Sequence, residues 1–246
     1  MRSERESSPR YKTEAALCAD FISWAEKDGW TAYAETAGWD LILVKSDIQF
    51  GIQAKLKFNA TLLRQVMPVD RCGDRTEPNH RGILIPKIDI EIDQAMRACS
   101  VVAFAPTRQT GYFGHTYEDG NRSDFAPSLN AAIERGEWPC EKRIELPDYV
   151  PDVVAGASSP VQLTQWKISA LRICVHIELH GFITSRQIRE KYGVDSRRWI
   201  DPGYGWLSAK KEGENVVGYV AGPKLKFPQQ HPDVYAKIKS EMVANP

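Results

Sequence analysis

Asp40, Gln53 and Lys55 are the residues of this chain whose types and spacing suit a chemical reaction. A carboxylate and an amide oxygen can share one divalent cation, and an ammonium beside them can orient a water. Hydrolysis of a phosphodiester asks for those parts: a polarised phosphate, a nucleophilic water, and positive charge where oxygen becomes negative. Mg²⁺ is usually held by one or two carboxylates, with water and phosphate oxygens completing its shell. Asp40 would give the carboxylate, and the Gln53 side-chain oxygen or the Ala54 carbonyl a neutral ligand. Lys55 would orient the water and stabilise the developing charge.

Such residues must be held by elements that bring them together. Gln53, Lys55 and Lys57 alternate with Ile52, Ala54, Leu56 and Phe58, a period of two that predicts a strand with one polar face. Trp39–Val44 is a second strand-like run. A tight hairpin centred between Ser46 and Asp47 sets Val44 against Gln49, Leu43 against Phe50, Leu41 against Ile52 and Asp40 against Gln53. The apolar pairs then share one face. Directly opposed residues have Cβ atoms about 4.5–5.5 Å apart, near enough to share a cation. A turn at Ala37-Gly38 brings Glu35, at the end of a first strand Trp30–Ala34, into the same row. The same alternation also suits a half-exposed strand whose lysines are merely solvated.

Asp40 followed by Gln53-Ala-Lys55 resembles the signature of the PD-(D/E)XK nuclease superfamily, in the Gln-x-Lys variant of Mrr-type restriction endonucleases and resolvase-like enzymes. The resemblance covers roughly residues 13–106. It implies a helix, a three-stranded meander carrying the Asp and the (Glu/Gln)-x-Lys, then a helix and further strands. It also implies that Glu14, on the first helix, reaches the metal; a carboxylate in a first helical turn equally suits the helix dipole. The departure is Gln53 where most of the superfamily has Glu, one negative charge fewer at the cation.

The chain has 246 residues with 32 Lys+Arg and 32 Asp+Glu, so no global basic field announces a nucleic-acid partner and binding must come from local patches. No apolar run reaches the roughly 20 residues of a membrane span, and the polar N-terminus has no secretory apolar segment. Five scattered cysteines fit reduced thiols in a cytoplasmic protein. A zinc site drawn from Cys72, His80 and Cys99 or Cys140 is the weaker reading, since no Cys-x-x-Cys pair occurs.

In chain order, residues 1–12 are polar and expected to be disordered. Thr13 caps a helix Glu14–Lys27, and Asn59 a short helix Ala60–Met67 in which Gln65 could face the site. Residues 69–81 lack periodicity and read as a long loop, whose Arg71, Arg75, His80 and Arg81 could touch phosphates or simply be solvated. Gly82–Pro86 reads as a fourth strand, Ile92–Cys99 as a helix, and Ser100–Ala105 as a fifth, fully buried strand. The domain 13–110 is therefore α/β, a mixed sheet flanked by helices. Residues 111–160, rich in Gly and Pro, read as a linker with one helix, Ser128–Arg135, and His115 as loop surface.

Residues 161–246 read as a small α+β domain: helices Gln165–Leu179 and Arg186–Tyr192, a brief third helix bearing Arg197 and Arg198, a hairpin turning at Gly213, and a tail with a final helix Asp233–Val243. This order resembles a winged helix, in which the third helix enters the major groove and the hairpin meets the backbone. Arg186, Arg189, Arg197, Arg198, Lys210 and Lys211 would contact phosphates. Winged helices also serve as protein-interaction modules, and the third helix here is short.

The sequence thus leads to a Mg²⁺- or Mn²⁺-dependent deoxyribonuclease. Its partner would be DNA, with a homodimer as an option and no membrane; Asp40, Gln53, Lys55 and Glu35 would be catalytic, with Asp40, Gln53 and Glu14 at the metal. The alternatives are a non-catalytic DNA-binding or assembly protein that keeps the nuclease fold, and a regulator acting through the C-terminal domain alone.

Overall fold

The structure is a computed structural model that describes residues 11–67, 76–107, 124–134, 142–157 and 161–245. The chain divides into two compact units: Met1–Leu146 with Val154–Pro160, and Pro147–Val153 with Val161–Pro246.

In the first unit, helix α1 (Glu14–Lys27) starts at Thr13, whose hydroxyl accepts from the Ala16 N–H at 3.1 Å. Strands β1 (Thr31–Thr36), β2 (Trp39–Lys45) and β3 (Ile48–Ala54) then form an antiparallel meander. The β2–β3 register pairs Leu41 with Ile52, Leu43 with Phe50 and Val44 with Gln49, as the apolar pairing requires. Helix α2 (Ala60–Val66) leads to β4 (His80–Leu84), parallel to β3, and helix α3 (Ile90–Ala98) to β5 (Val102–Pro106), parallel to β4. A two-residue β6 (Phe125–Ala126) closes the six-stranded mixed sheet antiparallel to β5, before the short helix α4 (Leu129–Ile133).

Both sheet faces are covered, which corrects the half-exposed strand expected at 51–57. β3 ends at Ala54, is buried from Gln49 onward, and leaves Lys57 exposed beyond it. On one face Phe21 and Trp24 of α1 pack on Phe104 and Phe125, with Phe50 edge-on to Phe104. On the other, Leu62, Val66 and Met96 pack on Ile42, Ile83, Ala103 and Ala105. Alternating residues of β5 thus serve opposite cores, the signature of a strand between helices. Truncating a ring such as Phe21 to Ala should cost about 3–5 kcal/mol.

His80 and Arg81 belong to β4 rather than a loop and are both 4% exposed; Arg81 pairs with Glu77 and donates to the Val66 carbonyl, so neither can meet a phosphate. His80 stacks on Phe50. The stretch expected as a linker is divided: β6, α4 and Ile144 build the first unit, whereas 147–153 joins the second. Arg71, Arg75, Cys72, His115, Cys140 and residues 1–10 lie outside the described residues.

The second unit is built around helix α5 (Gln165–His180), apolar on nearly every side and ended by Gly181 at φ +80°. Ile183 then forms a two-bond bridge with Tyr219. Helix α6 (Ser185–Tyr192) carries a capping box between Thr184 and Gln187, and helix α7 (Ser196–Ile200) buries Trp199 completely. Strands β7 (Leu207–Glu212) and β8 (Asn215–Ala221) form a hairpin. The final helix expected at Asp233–Val243 is α9 (Pro232–Ala244); a short α8 (Phe227–Gln230) precedes it, and both pack onto the unit through Phe227, Val234 and Ile238. Asp152 holds the start of α9, accepting from the Asp233 N–H and pairing with the buried His231. Among the described residues no helix is long and apolar enough to cross a membrane.

Candidate active site

The β1–β2 turn has positive φ at both central residues, Ala37 (+52°) and Gly38 (+84°), the geometry that matches strand twist in two-residue hairpins. β1 pairs Ala34 with Leu41 and Thr36 with Trp39, so Glu35 lies across from Asp40; one step beyond Leu41–Ile52, Asp40 lies across from Gln53. Glu35 itself sits at φ +49°, a left-handed conformation that costs a non-glycine residue about 1–3 kcal/mol and gathers at functional sites.

Two hydrogen bonds lace this row. Asp40 Oδ2 accepts from the Ala54 N–H at 2.7 Å, and the Gln53 side-chain nitrogen donates to the Gly38 carbonyl at 2.8 Å. The other Asp40 oxygen has no hydrogen-bond donor among the described residues, and the Gln53 amide oxygen is the end of that side chain left for a ligand. Lys55, one residue past β3, reaches Glu14 in the first turn of α1, with Nζ 2.8 Å from Oε2 and both side chains about a quarter exposed.

The electrostatics follow from burial. Desolvation pushes the Asp40 carboxyl above the usual carboxylate range; the Ala54 N–H and Lys55 oppose it, and Glu14 adds repulsion. Glu35 is raised likewise, by burial first and then by Asp40, against the Gly156 and Ala157 N–H groups. Burial alone would lower the Lys55 ammonium, but the Glu14 hydrogen bond and charge, with Asp40, leave it raised and firmly protonated. Cys18 of α1 is pushed far up by burial and by Asp40, Glu35 and Glu14 together, so it is an inert packing thiol lying among those charges.

Among the described residues no group of three or more His, Cys, Asp and Glu side chains is arranged to hold a metal ion. What Asp40 and Gln53 offer is one carboxylate and one amide oxygen. That is a hard-oxygen set of the size Mg²⁺ uses when water and phosphate fill its other positions. Glu14, expected as a metal ligand, is engaged by Lys55, and its first role is to fix that ammonium.

One contributor was not foreseen. Gly156, in the stretch read as linker, donates its N–H to Glu35 Oε1 at 2.7 Å. Its φ is +70°, and a Cβ there would lie 3.1 Å from the Glu14 carbonyl carbon and 3.2 Å from Cys18 Sγ. Only glycine allows this chain crossing against α1.

The expected phosphate-contacting residues lie in the second unit. Arg186, Arg189, Arg197, Arg198 and Lys211 are exposed. Arg186 pairs with Glu190 and Arg197 with Asp195, so part of their charge is matched within their own elements. Lys210 is half-buried, its ammonium 4.6 Å from the Phe182 ring centre. No family model, curated protein or solved structure matches the chain.

Proposed function

We propose that the chain is a metal-dependent nuclease of the restriction-endonuclease-like PD-(D/E)XK kind, hydrolysing DNA phosphodiester bonds. One observation carries this reading: Asp40 and Gln53 stand on adjoining antiparallel strands, with Lys55 just past the second of them and fixed by a carboxylate from the first helix. The order of helix, three-stranded meander, helix and parallel fourth strand supports it, being the arrangement the sequence resemblance implies.

A divalent cation held by Asp40 and the Gln53 amide oxygen, or the Ala54 carbonyl, would polarise the phosphate and supply a water of lowered pKa. The chain's own groups do the rest. The Lys55 ammonium, kept protonated by Glu14, donates to the attacking water or to a phosphate oxygen as charge builds there. The Ala54 N–H keeps Asp40 in one rotamer, with its second oxygen open. Glu35 adds negative charge beside Asp40, raising the electrostatic return on binding a cation.

The second unit supports placement on DNA. Its order of helix, bridge, two helices and hairpin resembles that of a winged helix, with exposed arginines on α6 and α7. Cleavage of plasmid or oligonucleotide DNA with added Mg²⁺ or Mn²⁺ tests the proposal directly. Cutting by wild type, slowed about 10²–10³-fold by Lys55→Ala, is the expected result; an intact substrate with wild type across metals and DNA forms overturns it.

A second reading, a DNA-binding or assembly protein without turnover, is favoured by Gln53, which brings no charge and spends its amide nitrogen on Gly38. Calorimetry separates the two: salt-dependent DNA binding with no detectable Mg²⁺ or Mn²⁺ binding selects this one.

A further inference from the structure

The second unit carries a connected set of aromatic rings that does not end at its core. Trp199, fully buried, lies 5.5 Å from Trp206 and 5.6 Å from Phe227, ring centre to ring centre. Trp166 closes on Trp206 at 5.8 Å and Phe227 at 5.5 Å, and Tyr204 on Trp206 at 4.9 Å. Trp166 and Tyr204 are 39% and 43% exposed, the only exposed Phe, Tyr or Trp side chains among the described residues. Both lie on this one cluster, so the inner rings brace two outer rings that keep apolar area in water.

Charge complements the rings. The Lys224 chain lies against Gly205, between Tyr204 and Trp206, where a Cβ would sit 3.2 Å from Lys224 Cδ. Arg198 and Lys226 are exposed beside Trp199 and Phe227 in the chain. Asp201 is turned into its own loop, accepting from the Gly203 N–H at 2.8 Å. The Gly222 N–H donates to the Trp206 carbonyl and the Lys224 N–H to the Gly205 carbonyl, which fixes the lysine-bearing segment to the tyrosine-bearing one, while the exposed Lys224 ammonium lies 3.4 Å from the Gly203 carbonyl.

We infer that Trp166 and Tyr204, with Lys224, form a stacking site for unpaired nucleobases of a single-stranded nucleic acid. Rings offer sequence-tolerant π-faces and cations track the phosphates. A base inside a duplex is stacked on both sides and cannot use such a site; an unpaired one can. The inference rests on the second unit being the nucleic-acid-placing part of the chain, and it narrows the DNA substrate to one with an unpaired stretch.

The test uses the full chain in EDTA, so that binding is read without cleavage. Oligo(dT), oligo(U) and a blunt duplex of the same length are titrated, with tryptophan emission and anisotropy as readouts. Wild type should bind at least one single strand with quenching of its emission. Trp166→Ala and Tyr204→Ala should each weaken that binding about 5- to 100-fold, while Tyr204→Phe, which keeps the ring, stays within about twofold. Duplex affinity should not change in any variant. Both positions are partly exposed, and thermal melts check that the variants fold. Single-strand binding unaltered by both alanine variants, or weakened no more than duplex binding, overturns the stacking site and leaves the nuclease reading standing. Absence of binding to any of the three probes overturns the site together with DNA placement by this unit.

Discussion

Lys55 and Glu14 are 41 residues apart in the chain, yet Nζ and Oε2 lie 2.8 Å from each other. An ion pair with both members about a quarter exposed contributes roughly 0–1 kcal/mol to stability, so its value lies in fixing an ammonium beside Asp40. Lys55→Ala should therefore lower cleavage about 10²–10³-fold with little change in melting temperature. Glu14→Gln removes the charge that outweighs burial and so lowers the Lys55 pKa. Its pH–rate profile should lose the alkaline limb at lower pH than wild type. Coincident alkaline limbs would show that Glu14 does not act through Lys55.

Asp40 gives a prediction about stability with a definite sign. Burial raises its folded pKa above the ordinary 3.8, so the protonated form suits the folded state better than the unfolded one. The associated stability is present below 3.8 and lost as pH rises through the folded value. At neutral pH the ionised carboxylate is a strain on the fold. Asp40→Asn keeps an acceptor for the Ala54 N–H and removes the charge. It should abolish cleavage and raise the melting temperature at pH 7, by about 2–4 °C per kcal/mol relieved, with the gain shrinking near pH 4. Mg²⁺ at ten times its Kd should stabilise wild type by about 1.4 kcal/mol and leave Asp40→Asn unmoved. A melting curve of wild type that ignores Mg²⁺ and Mn²⁺ would remove the cation from Asp40.

Gly156 supplies a prediction in a segment with no motif. Alanine there must adopt φ +70° and bring Cβ within 3.1 Å of the Glu14 backbone. The variant should lose about 1–3 kcal/mol. Because the same residue holds Glu35, cleavage should fall further than the melting shift explains, and a Glu35→Gln background should cancel that extra loss. Equal losses in both backgrounds would make Gly156 a folding residue alone.

What the sequence made legible is what repeats locally. Period-two alternation and the pairing of Leu41, Leu43, Phe50 and Ile52 gave the β2–β3 register, and caps at Thr13 and Asn59 gave helix starts. Contacts between distant segments left no such trace. Gln49 places both ends of its side-chain amide on the Ile144 backbone, a bridge between residues 95 apart that draws part of the supposed linker onto the sheet. The Gly156–Glu35 bond spans 121 residues and is invisible for the same reason. Polarity alone places His80 and Arg81 in a loop, but their side chains find partners inside, on Phe50, Glu77 and Val66.

The second unit has its own pH dependence, set by His176. Its ring is 4% exposed on α5, with Nδ1 2.9 Å from the Tyr192 hydroxyl of α6 and its centre 4.4 Å from that of His180. Burial first, then the charges of His180 and Lys191, pull its pKa from 6.5 down to about 4. Between those values the unfolded chain takes a proton that the folded one refuses. Stability is therefore full above 6.5 and lost as pH falls toward 4, by on the order of 3 kcal/mol in all. His176→Gln keeps a hydrogen-bonding partner for Tyr192 and cannot titrate. Urea unfolding at pH 7, 6 and 5 should show wild type losing midpoint steadily and His176→Gln losing distinctly less. Parallel losses in the two proteins would assign the acid sensitivity to other groups of the unit.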